Sequence, residues 1–238
     1  MKLTIAHLYP DLLNLYGDRG NILTLCRRME ERGIEAQVTE YGINDEIDLE
    51  GTDIIYLGGG SDREQKTVCE KLCHIKSALK EYAEKGGCIL AVCGGNELLG
   101  KYYKTENETI PALEILDIYT EYSSQRLIGN IIMDSELTGS TVVGFENHSG
   151  RMYTGSYTPL GTVRTGGGSN GEDKKEGVVY KNTIATYLHG PLLPKNPKLA
   201  DHIIKCALKQ RYNEDIELSP IDDSMEMAAH EYCVERFK

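Results

Sequence analysis

Gly87-Cys88-Ile89-Leu90-Ala91-Val92-Cys93-Gly94-Gly95-Asn96-Glu97-Leu98-Leu99-Gly100 decides how this 238-residue chain is read. The apolar run from Cys88 to Val92 is too short for an independent helix and reads as a buried strand. It ends at Cys93, two glycines follow, and Leu98 and Leu99 mark the buried face of a new helix. A strand that breaks sharply into a helix with a nucleophile at the break is a nucleophile elbow. The thiol then stands clear of the strand, and the N–H groups and dipole of the helix start favour its reactive thiolate form. The glycines permit the tight turn and leave room beside the sulfur.

Most cysteines are simply core residues. Two features set Cys93 apart: the Gly94-Gly95 pair, and His189, which closes a second strand-then-turn segment, Thr183-Ile184-Ala185-Thr186-Tyr187-Leu188-His189-Gly190-Pro191. A cysteine and a distant histidine, each at a strand end, fit a nucleophile and its base.

Working outward, the first half alternates strand and helix. Leu3–Leu8 reads as a strand, residues 14–32 contain a helix stopped by Gly33, and Ala36–Tyr41 and Asp53–Leu57 are further strands. A helix is expected from Glu64 to Lys85, ended by Gly86-Gly87. This order makes crossover units and a parallel sheet whose ligands bind at the carboxyl ends of the strands. Leu57 and Val92 end strands there, so the Gly58-Gly59-Gly60 loop and Cys93 can share one site. The second half offers short strands at Arg126–Met133, Thr141–Phe145, Gly161–Arg164, Gly177–Tyr180 and Thr183–Leu188, read as antiparallel hairpins beside that sheet. Gly166–Lys175 reads as a flexible loop; without a Gly-Lys-Ser/Thr ending it is no phosphate cradle. Leu199–Tyr212 is a last amphipathic helix, and residues 213–238 form an acidic tail, a packing helix or a partner contact.

Composition sets the bounds. A content of 40% hydrophobic and 26% charged residues is that of a globular domain large enough for a sizeable core. The net charge of −11 argues against nucleic acid and against an anionic membrane surface. No apolar run is long enough for a membrane span, and the polar start reads as a first strand rather than a signal peptide. Seven cysteines without a framework lead us to expect reduced thiols and a cytoplasmic location. Cys69 and Cys73 share a helix face but lack a second ligand pair at zinc spacing, so no metal site is expected.

Four segments, Ala91-Val92-Cys93-Gly94-Gly95, Leu57–Asp62, Gly144–Arg151 and Tyr187–Pro197, together resemble the cobyric-acid-synthase-like branch of class I glutamine amidotransferases. Within it the likeness is greatest to the glutaminase subunits of lipid II isoglutaminyl synthases, over residues 1 to about 210. The resemblance implies a flavodoxin-like α/β fold over residues 1–212, with a mainly parallel sheet and added antiparallel hairpins. It also implies hydrolysis of L-glutamine, with ammonia passed to a Mur-ligase-like synthetase in a heterodimer. That partner would hold ATP and any metal, and would amidate the D-glutamate α-carboxyl of lipid II in peptidoglycan synthesis. No cofactor is expected in this chain.

For that reaction Cys93 is the nucleophile and His189 the base and later the acid. The oxyanion hole is expected from the N–H groups of Gly94 and Gly59. The family's arginine, here Arg126 at an expected strand start, holds the substrate, its fork suiting the α-carboxylate. His148, in a separate family motif, is read as a supporting residue. Two departures stand out. Many class I members carry a glutamate two residues after the histidine, where this chain has Pro191. The family also usually reads Cys-Gly-Gly-aromatic-Gln, where this chain has Asn96 and Glu97. Glu97 would bind the α-ammonium, and its charge would also raise the thiol pKa. Two other readings stay open: a non-catalytic or regulatory subunit of the same fold, and a cysteine hydrolase of another small amide.

Overall fold

The computed structural model describes residues 1–15, 17 and 19–238. In chain order the first half comprises β1 (Lys2–Leu8), α1 (Arg19–Glu30), β2 (Glu35–Tyr41), β3 (Ile54–Leu57), α2 (Asp62–Leu72), α3 (Lys76–Glu84), β4 (Cys88–Val92) and α4 (Gly94–Leu98). The second half comprises β5 (Tyr102–Lys104), β6 (Thr109–Pro111), β7 (Tyr119–Ser135), β8 (Ser140–Tyr153), β9 (Gly161–Thr165), β10 (Lys175–Glu176), β11 (Val178–Tyr180), β12 (Thr183–Thr186), α5 (Pro197–Tyr212) and α6 (Ser224–Arg236). Of the stretch 14–32, where a helix is expected, residues 16 and 18 lie outside the described residues.

The main sheet has the order β11-β12-β4-β3-β1-β2, parallel except for β11. Its inner strands are buried on both faces, and their alternation sorts the core into two layers. Leu3, Ile5, Ile54, Tyr56, Leu90, Val92 and Ile184 meet α1 and α5 through Leu25, Met29, Ile203 and Ile204. Ala6, Leu8, Ile55, Leu57, Ile89 and Ala91 meet α2 and α3 through Val68, Leu72, Leu79 and Ala83. The α/β class read from the sequence is thus the observed one.

Three local readings change. The helix expected over 64–85 is two helices, with a tighter turn at Cys73–Ile75. Of the strands read as hairpins, β11 and β12 belong to the main sheet, β12 parallel to β4 and β11 antiparallel on its outer edge; the others build a second sheet, β10-β9-β7-β5-β6 with β8 on β7. The Gly166–Lys175 loop is held rather than free: Gly167 and Gly168 donate their N–H groups to the Glu146 carboxylate at 2.7 and 2.9 Å, and Ser169 and Asn170 are buried. Its amides do cradle an anion, one belonging to the chain itself.

Residues beyond α5 cross back over α1. Arg28, 3% exposed, donates to Asp201 on α5 and to Asp223 at the start of α6, and Arg32 also reaches Asp201. These bonds hold the Arg28 guanidinium above its usual pKa despite burial. Removing one partner leaves uncompensated charge. Arg28→Ala is expected to lower stability by about 3 kcal/mol, since the two carboxylates keep some solvent. Urea unfolding followed by circular dichroism measures it; an unchanged midpoint would make the cluster dispensable.

Candidate active site

Parallel register alone assembles the centre of the site. Leu57 pairs with Ala91 and Thr186 with Val92, so Gly59 falls on one side of Cys93 and Tyr187 on the other. Cys93 has φ 53° and ψ −120°, a conformation that costs a non-glycine residue about 1–3 kcal/mol. Two bonds hold it there: its N–H donates to the Thr186 carbonyl at 2.8 Å, and its carbonyl accepts from Asn96 at 2.9 Å. The helix beyond, α4, spans only five residues, so its dipole acts through a single turn.

A side chain on Gly59 would lie 2.9 Å from Cys93 Cβ, 3.3 Å from its Sγ and 3.4 Å from Gly94 N. Gly59 is therefore glycine for space, and the space it leaves adjoins both the sulfur and the Gly94 amide. A side chain on Gly94 would collide with the Gln65 carboxamide. Gln65 is held at that spot because Ser61 and Glu64 cap α2 reciprocally: Ser61 N donates to Glu64 Oε2 at 2.9 Å, and Glu64 N to Ser61 Oγ.

Cys93, Gly94, Glu97 and Arg126 line one cleft of about 570 Å³, with Gly60, Ser61, Asp62, Gln65, Tyr103, Asn147, His148 and Tyr187 among its walls. His189 is not on that lining. It is 2% exposed, two residues past Tyr187, and its backbone exchanges bonds with Phe145 on β8 at 3.0 and 3.1 Å. Burial, aided by the nearby charges of His148 and Arg126, lowers its pKa to about 4, so the imidazole is neutral at pH 7.

Arg126 lies inside β7 rather than at a strand start. It falls where the β7–β8 register shifts between Tyr122 and Leu127. The irregularity turns its side chain onto β8, where Nε donates to Asn147 Oδ1 at 2.6 Å, Nη1 to Ser149 Oγ and Nη2 to the Asn147 carbonyl, both at 3.1 Å. The bonds spread over three nitrogens and leave one N–H on each of Nη1 and Nη2 for a ligand.

Glu97 accepts from Tyr187 Oη at 2.8 Å and from Gln65 Nε2 at 3.1 Å. Loss of water around it raises its pKa to about 7, against the pull of the Tyr187 bond and Arg126. Its charge is therefore only partly present at neutral pH. His148 stacks on the Tyr187 ring with centroids 3.7 Å apart and gives Nδ1 to the Gly150 carbonyl at 2.7 Å.

The sequence reading passed over Gln65, Tyr103 and Tyr187. The last carries a signal: it stands just past the end of the strand that leads to His189, where ligands of a parallel sheet bind. Tyr103 Oη and His148 Nε2 are buried with no hydrogen-bond partner among the described residues, and both residues line the cleft. Such atoms call for a polar ligand.

Comparison with known proteins agrees with this geometry. Residues 4–197 match the model of the CobB/CobQ-like glutamine amidotransferase domain. The chain belongs to that family. Among the curated amidotransferases, it is 44% identical to the lipid II isoglutaminyl synthase (glutamine-hydrolyzing) subunit GatD of Staphylococcus aureus, over 99% of this chain and 96% of that one. It is 40% identical to the Streptococcus pneumoniae subunit of the same name, over 97% and 90%. Among solved structures, PurLQS from Thermotoga maritima superimposes with a TM-score of 0.56 at 15% identity, covering 90% of this chain and all of the matched one, a likeness of fold. The amidotransferase resemblance read from four short segments is thus borne out. Among the described residues no helix is long and apolar enough to cross a membrane.

Proposed function

We propose that this chain is the glutaminase subunit of a lipid II isoglutaminyl synthase, hydrolysing L-glutamine at Cys93 and supplying ammonia to a Mur-ligase-like synthetase. The observation that carries the chemistry is the strained elbow at Cys93, set between the Gly59 loop and the strand leading to His189. Cys93 Sγ attacks the δ-carbonyl carbon of glutamine while His189 takes the thiol proton. The N–H groups of Gly94 and Gly59 receive the oxyanion, and a donor of this kind is worth roughly 3 kcal/mol. The C–N bond breaks, His189 returns the proton to the leaving nitrogen, and ammonia departs. Water, activated by the same imidazole, then cleaves the thioester and releases glutamate.

Arg126 holds the α-carboxylate and Glu97 the α-ammonium. These steps draw on no cofactor; ATP and its metal belong to the synthetase, which activates the D-glutamate α-carboxyl of lipid II. The two proteins form a heterodimer in the cytoplasm, where lipid II precursors and ATP are at hand.

The assignment of Glu97 gives a pH test. Rising pH ionises a carboxyl titrating near 7, so the KM for glutamine is expected to fall about tenfold between pH 6 and 8. Glu97→Gln should remove that dependence and raise KM at pH 8, measured by ammonia release with the synthetase present. If Glu97→Gln instead lowers KM throughout, the carboxylate opposes binding, and the regulatory reading of this subunit gains.

A further inference from the structure

Three cross-ties fasten the segment that follows His189 to β8, and the outermost comes from the C-terminal helix. Nearest the imidazole is the backbone pair of Phe145 and His189. Two residues back along β8, Val143 donates its N–H to Asn196 Oδ1 at 2.9 Å, while Asn196 Nδ2 donates to the carbonyls of Val143 and Leu192, each at 2.7 Å. Two residues further back, Thr141 Oγ1 lies 2.7 Å from His230 Nε2, and His230 Nδ1 lies 2.7 Å from the Lys195 carbonyl. A carbonyl only accepts, so Nδ1 carries a proton, and a neutral ring then accepts the Thr141 hydroxyl at Nε2.

The spacing along β8 is regular: residues 141, 143 and 145 alternate along its free edge, and their partners lie at 189, at 196 and, through His230, at 195. A helix that served only to cover the core would bury an apolar stripe. In α6 the one fully buried residue is His230, at 6% exposure; Met227 and Val234, on the same helix face, are half-buried beside a cavity bordered by Thr141 and Asn196, while Met225 and Tyr232 are 82% and 58% exposed. The start of the helix is tied to α1 through Asp223 and Glu226, and farther along His230 reaches both rails of the ladder.

We propose that His230 is a positioning residue for His189: through Thr141 and Lys195 the C-terminal helix closes the outer end of the ladder that sets the imidazole against Cys93. This rests on the reading of His189 as the base. The groups proposed to bind glutamine lie away from the outer tie: Glu97 stands on α4, and Arg126 on β7 reaches β8 only at Asn147 and Ser149, past the Phe145 rung and at the far end from Thr141. Loss of the outer tie should therefore reach kcat and spare KM. A misplacement of about 1 Å costs up to about 10²-fold, and two rungs remain, so a fall in kcat of about tenfold is expected.

The test uses the full-length chain with its synthetase, in Thr141→Val, His230→Ala and His189→Asn. Thr141→Val deletes one hydroxyl and leaves α6 intact, so it decides the matter should His230→Ala unfold; circular dichroism checks both. Expected are kcat values about tenfold lower in Thr141→Val and His230→Ala, with KM within about twofold of wild type, and faster amide exchange over residues 189–195. Unchanged kcat in both beside an inactive His189→Asn would overturn the proposal alone, as would a rise in KM at constant kcat. Full kcat in His189→Asn would remove the reading beneath it, and the proposal too.

Discussion

Cys93→Ala is expected to abolish ammonia release from glutamine while leaving the fold and partner binding intact. The change removes a single sulfur that borders a cleft, so little cavity opens. Alanine meets the same backbone strain at φ 53°, which the bonds of the Cys93 N–H and carbonyl already hold. A glutamine-like chloroketone should add once to the wild-type protein, at Cys93, and not to the variant, as read by intact mass and peptide mapping. The competing thiols make this a real discrimination. Burial raises Cys26, Cys88 and Cys206, and burial with neighbouring Cys73 pushes Cys69 to about 12. Cys73 is exposed, so preferential labelling there, or retained hydrolysis in Cys93→Ala, would mean another thiol does the chemistry.

The elbow was legible because three local signals agree over 14 residues: a buried strand, a double glycine and a helix face. The pairing of Gly59 with Cys93 followed from two strand ends in one parallel sheet. What stayed hidden depended on partners distant in sequence. The break at Cys73–Ile75 leaves no mark, because Val68, Leu72, Ile75, Leu79 and Ala83 keep one apolar face through the tighter turn. The hairpin strands read shorter than β7 and β8 because the polar stretch Glu121–Arg126 pairs around a register shift, where alternation fails. That shift is also what aims Arg126. Glycine content marked Gly166–Lys175 as a flexible loop, but the carboxylate that holds Gly167 and Gly168, Glu146, lies about 20 residues earlier and gives no local sign. Nor could sequence say that Glu97 would meet Tyr187 and Gln65 together and titrate near neutrality.

The second large effect concerns the partner. Ammonia released into water protonates and diffuses away, so a useful glutaminase should turn over slowly until its synthetase is docked. Two features of His189 suit such control. Many class I relatives place a glutamate two residues after the histidine; here that position is Pro191, packed against Gly20 at the start of α1. Burial, with the Arg126 guanidinium nearby, holds the imidazole pKa at about 4, so the ring accepts the thiol proton reluctantly. A carboxylate brought in by the synthetase would raise that pKa and stabilise the imidazolium, a role whose removal elsewhere costs about four orders of magnitude. The isolated chain is therefore expected to hydrolyse glutamine weakly, with a marked rise in complex and a need for intact Arg126 in both states. The sign of the pH effect follows. The base works unprotonated, so raising its pKa moves the acid limb of kcat, which Glu97 acting on KM does not shape, to higher pH in the complex than in the free chain. Side-by-side ammonia assays at saturating glutamine, with kcat profiles from pH 4 to 8, measure both. Equal turnover and superimposed acid limbs would mean that the catalytic site is complete within this chain, and that the synthetase receives ammonia without controlling its release.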